Sequence, residues 1–155
     1  MAAVGSVASA GCDGSGGDEV SRDAQVYVAT VREVLADQPA PEDPDVLPVV
    51  FVVGVGEHPI PADVQASVAV ELDADANVEF ADDRADVILE GEDDAPVRDD
   101  GVLIAVGDLA EDVDPVQLDV EIYRSEAEWS NVVLTVARRS SQWTVTSTSV
   151  VPTES

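Results

Sequence analysis

The chain has 155 residues, 33 of them Asp or Glu against seven Arg and no Lys, for a formal charge of -26 at pH 7. That length suits one domain with its own core, and 45% hydrophobic residues exclude an acidic disordered tail. Such a surface repels nucleic acid and anionic lipid head groups, one cysteine excludes an intrachain disulfide, and 4% aromatics leave little for a flavin, haem or base-stacking site, so no cofactor is expected.

Carboxylates at this density repel one another unless counterions screen them. The Debye length shrinks from roughly 10 Å at 0.1 M salt to roughly 3 Å at 1 M, so the composition reads as adaptation to brine. A GC-rich genome also favours Ala, Val, Gly and Asp, but it would supply abundant Arg, which is scarce here. Losing every Lys removes long apolar stems in favour of short acids that hold water and hydrated cations.

The chain opens with MAAVGSVASAGC, small and apolar up to Ser9-Ala10-Gly11-Cys12, followed by Asp13-Gly14-Ser15-Gly16-Gly17-Asp18-Glu19. This resembles the lipobox of prokaryotic lipoproteins, with Ser9 where that family carries leucine and no basic segment ahead of the apolar stretch. A start upstream of Met1 would supply that segment. The resemblance implies a lipid on Cys12 and an extracytoplasmic, membrane-anchored domain. The alternative is a disordered small-residue leader with an unmodified cysteine, in a soluble cytoplasmic protein of a salt-accumulating cell. Residues 1–20 therefore form leader and flexible acidic linker, and 21–155 a single domain.

Ala24, Tyr27, Val28, Val31, Val34 and Leu35 recur at helical spacing from Ser21 to about Asp37, with Ser21 placed as N-cap and Asp23 near the positive end of the dipole. Prolines 39, 41 and 44 end that helix in an extended loop. Val49-Val50-Phe51-Val52-Val53 is a short β-branched run expected as a strand covered on both faces. Pro61 suits the first turn of a second helix, in which Val64, Val68 and Leu72 fall at four-residue steps. Within the acidic stretch that follows, Val78-Glu79-Phe80 and Val87-Ile88-Leu89 are expected as short edge strands.

Val116, Leu118, Val120 and Ile122 alternate with Gln117, Asp119, Glu121 and Tyr123, the period-two pattern of a strand with one wet face. Val102–Val106 precedes it, Val132–Ala137 follows, and Trp143–Val150 closes the chain after a short Arg138–Gln142 connection. The fold class expected is α+β: two helices packed on a mainly antiparallel sheet ending in a four-stranded meander. That order, closing on Trp143-Thr144-Val145, resembles the roll of cystatin-like and nuclear-transport-factor-2-like domains. Over most of its length it also resembles a group of small uncharacterised lipoproteins. Architecture of this kind implies a scaffold, not a function.

Asp73, Asp75 and Asn77 have the opening spacing of a calcium loop, but Val78 stands where the turn needs Gly and Arg84 where bidentate Glu belongs. An EF-hand is therefore rejected, leaving Asp73, Asp75, Glu79, Asp82 and Asp83 as weak metal candidates against a solvated acidic loop. Gly54-Val55-Gly56 lacks the third glycine of a dinucleotide fingerprint, Pro59 standing there, and reads as a turn. His58, beside Glu57, has no recognisable nucleophile to serve and reads as a loop histidine. Asp119 and Glu121 share a wet face that solubility alone requires, and Arg138 and Arg139 flank the last turn within reach of acidic neighbours. No catalytic residue is assigned. The expected role is a binding or interaction domain for a protein or small molecule; the alternative is a hydrolase or isomerase with its pocket on the concave sheet.

Overall fold

In the computed structural model, which describes residues 22–38, 42–56, 59–110 and 113–152, the first element is helix α1 over residues 22–36. Its last turn tightens, with Asp37 N donating to Val34 O and Gln38 N to Leu35 O. The buried face is wider than the sequence stripe, because Val26 and Thr30 are also fully covered. Thr30 donates its hydroxyl to Val26 O at 2.9 Å, so burying it orphans no polar group. The cap expected at Ser21 lies outside the described residues.

Strand β1 (Val49–Gly54) leads into helix α2 (Ala62–Glu71) and then strand β2 (Asn77–Ala81), which pairs parallel to β1. Pro61 is the residue before the helix, its carbonyl accepting from Gln65 N at 3.0 Å. The rigid ring thus precedes the first turn, one position earlier than expected. Val64, Val68 and Leu72 seat α2 in the core.

Residues 82–101 cross the far side of the sheet through two 3-10 turns, Arg84–Asp86 and Arg98–Asp100. The strand expected at Val87-Ile88-Leu89 does not form. Val87 closes the first turn, and Ile88 makes a single bridge to Val97. Left-handed φ at Asp94, Ala95, Asp99 and Asp100 bends this segment too tightly for a strand.

Strand β3 (Val102–Val106) lies parallel to β1 on its other side, and β4 (Val116–Ser125), β5 (Glu128–Arg139) and β6 (Gln142–Val151) follow as an antiparallel meander. The sheet order is β2-β1-β3-β4-β5-β6. The final hairpin turns at Ser140-Ser141, both with positive φ, as a two-residue connection requires. Gly101 enters β3 where a Cβ would stand 2.9 Å from Val49 O and 3.1 Å from the Phe51 ring, so only glycine fits.

Two apolar clusters result. The larger lies under α1 and α2 and takes Val50, Val52, Ile104, Leu118, Val120, Leu134 and Val136 from the sheet. The smaller, on the opposite face, joins Phe51, Val53, Leu103 and Tyr123 to Val87 and Val97 of the crossing segment. Strand β1 is therefore covered on both sides, as its continuous valine run requires.

Candidate functional site

The sheet face that an enzymatic roll would keep open is filled. Val26, Val31 and Val68 from the helices meet Leu118, Leu134 and Val136 from the strands, all at most 2% exposed. Outside this filled face, a surface groove of about 880 Å³ is bounded by α1, α2 and the first half of β6. Val28, Val70, Trp143 and Val145 give it an apolar side, and Gln25, Arg32, Glu71 and Thr144 a polar one. This mixture fits a ligand with both an apolar face and hydrogen-bonding groups.

Trp143 is held in place from the start of α1. The Arg22 guanidinium stacks over its ring at 5.2 Å and donates to Ala110 O and Val113 O, each at 3.1 Å. Arg22 also pairs with Asp23 at 2.8 Å. One side chain thus ties the helix start, the β3–β4 connection and β6 together.

Near that end of α1, Tyr27 is 7% exposed, and burial first, then the charges of Asp23 and Asp108, push its hydroxyl up from 10.0 to about 12, with Arg22 opposing. Because the folded value exceeds the unfolded one, this stability is complete below pH 10 and is lost as pH climbs through 10 toward 12. Alkaline melts in high salt are expected to show a loss on the order of 2 kcal/mol across that window, and Tyr27→Phe to remove that part. Parallel wild-type and variant curves would refute the assignment. Tyr123, also raised by burial, titrates in the same direction and remains in both proteins.

A smaller depression of about 450 Å³ lies between the end of α1, the 42–48 loop and Asp99-Asp100, with Arg124 in its wall hydrogen-bonded to Gln38. On the outer sheet face Arg84 grips Glu121 through both guanidinium nitrogens and lies 5.4 Å over the Tyr123 ring, whose hydroxyl donates to Ala95 O at 2.8 Å. Glu121 is thus half-buried in a structural clamp, while Asp119 stays exposed.

Asp73, Asp75, Glu79, Asp82 and Asp83 are all exposed around β2. Asp75 faces Arg32 at 3.3 Å, and Asp83 accepts from Ala85 N at 3.0 Å as a turn cap. Among the described residues no three His, Cys, Asp or Glu gather as a metal site. Arg138 meets acid through its backbone, donating from N to Asp114 at 3.1 Å. Gly54, read as part of a turn, is instead the last residue of β1, paired with Val106, and Gly56 lies in a bend two residues on. Cys12, Glu57 and His58 lie outside the described residues.

Sequence reasoning named neither the groove nor the Arg22–Trp143 stack. Their residues come from three distant segments, and the only sequence signal was a tryptophan in an otherwise Ser- and Thr-rich strand. No helix among the described residues is long and apolar enough to cross a membrane. The chain matches no family model, no curated protein and no solved structure.

Proposed function

We propose that this chain is a lipid-anchored, extracytoplasmic binding domain of a salt-adapted prokaryote, taking a small neutral or cationic ligand in the groove between α1, α2 and β6. The observation that carries the reading is the filled sheet face. With valine and leucine side chains occupying the place of an enzymatic pocket, ligand access is confined to the outside. The net charge of -26 disfavours an anionic ligand. The anchor rests on Cys12 at the end of a small-residue leader and on the Gly/Ser linker after it.

Membrane fractionation of cells expressing the gene with its upstream region tests the anchor. Wild type is expected in the membrane fraction and Cys12→Ser in the soluble fraction; equal soluble recovery of both overturns it. Trp143 reports on the groove in a Trp129→Phe background. Its emission is expected to shift with amphipathic neutral or cationic solutes and to stay unchanged with their anionic counterparts.

A further inference from the structure

The two edges of the sheet are treated in opposite ways. Strand β2 carries Glu79 and is ringed by Asp73, Asp75, Asp82 and Asp83, all exposed, which is how natural sheets keep a bare edge from pairing. Strand β6, the other edge, has no charged residue at all. Residues 129–153 contain no Asp or Glu, where the chain average of 33 in 155 would place about five. The only charges in that span are Arg138 and Arg139 at the hairpin turn. Val150 and Val151 are exposed at 69% and 40% near its end.

We propose that two copies of this chain pair antiparallel through β6, joining their sheets into one. A second copy is the occupant that the charge pattern favours. Two bodies of like charge meet carboxylate against carboxylate on almost any other surface, whereas β6 against β6 apposes only uncharged residues: Gln142, Trp143 and otherwise Ser, Thr and Val. Antiparallel pairing is self-complementary about a two-fold axis and satisfies the backbone donors and acceptors of both edges that have no strand partner among the described residues. Ten residues of strand give a pairing length of about 34 Å. The bulge at Thr146, whose hydroxyl donates to Thr135 O at 3.3 Å, divides the edge and leaves Ser147–Val151 as its regular half. Ser147 and Ser149 pair with Thr135 and Val133 on the face away from the helices, both exposed, so charges can be placed there without touching the core.

Sedimentation velocity in molar KCl tests this. Wild type is expected to form a dimer in the micromolar range. The double variant Ser147→Glu/Ser149→Glu is expected to weaken it at least tenfold, and Ser147→Arg/Ser149→Arg likewise, each with unchanged circular dichroism. Mixing the two is expected to restore a dimer, since opposite charges then face each other. Val55→Glu, at an exposed site off the sheet edge, is expected to leave dimerisation within twofold of wild type. A monomeric wild type, edge variants that dimerise as tightly as wild type, no recovery on mixing, or an equal loss in Val55→Glu would each overturn the proposal. So would wild type that binds neutral vesicles as a monomer through these same residues, which would make β6 a membrane-facing surface.

Discussion

Dialysis from molar to millimolar KCl is expected to unfold this protein, with near-ultraviolet circular dichroism losing its tertiary signal over a narrow range of salt. A folded chain of this length has a radius of gyration of about 15 Å. The Debye length is about 3 Å at 1 M salt and about 30 Å at 0.01 M, so each carboxylate passes from sensing its immediate neighbours to sensing the whole molecule. The arginines offer little relief, since among the described residues the ion pairs are Arg22–Asp23, Arg32–Asp75 and Arg84–Glu121. The crossing segment is expected to open first. It crowds Glu90, Glu92, Asp93, Asp94, Asp99 and Asp100 into a chain held by Val87, Ile88 and Val97 and bent through left-handed residues. Hydrogen exchange should quicken at Val97 N, bonded to Arg124 O, and Arg98 N, bonded to Val87 O, before it does so in β4 and β5. Cooperative structure that persists in deionised buffer would remove the case for salt adaptation.

Phe51→Ala is expected to cost about 3–5 kcal/mol, a large share of the about 5–15 kcal/mol typical of a domain. Phe51 is the largest fully buried side chain of the smaller cluster, and Arg98 stacks over its ring at 4.9 Å. Removing the ring leaves Val87, Val97, Leu103 and Tyr123 around a void and frees the guanidinium that holds the turn before Gly101. Urea at constant KCl is the appropriate denaturant, because guanidinium chloride would itself screen the carboxylates. A smaller dependence on urea should accompany the lost stability, since a crossing segment already detached exposes less new surface on unfolding. A cost under about 1 kcal/mol would show that this cluster adds little beyond covering the sheet.

What could be read in advance followed how local each pattern was. The alternation Val116–Tyr123 located β4, the valine run located β1 as a strand buried on both faces, and the steps Val64, Val68, Leu72 located α2, because each depends on one element meeting one layer. Val26 and Thr30 escaped because α1 is covered more widely than a single stripe requires. Val87-Ile88-Leu89 looked like a strand because β-branched residues suit one, yet the chain there turns and gives Val87 and Ile88 to the cluster around Phe51 and Leu103. Arg84, which stands where a calcium loop would need Glu, reaches Glu121 from 37 residues away, a separation no spacing rule covers. The groove was invisible for the same reason.

The arrangement of the arginines has a consequence for how this molecule meets its surroundings. Arg22, Arg84 and Arg98 lie against aromatic rings, and Arg124 is turned toward Gln38. Arg32 faces Asp75, and Arg138 and Arg139 stand exposed at the last hairpin turn, so away from that turn the field facing outward is mostly of one sign. In fresh water such a field would draw cations from a distance and turn anions away. In brine it fades within a few ångströms of the surface, and encounter falls to the unsteered rate of about 10⁵–10⁶ M⁻¹s⁻¹. On the proposed reading, selection between ligands then happens after contact, by shape and hydrogen bonding within reach of Trp143.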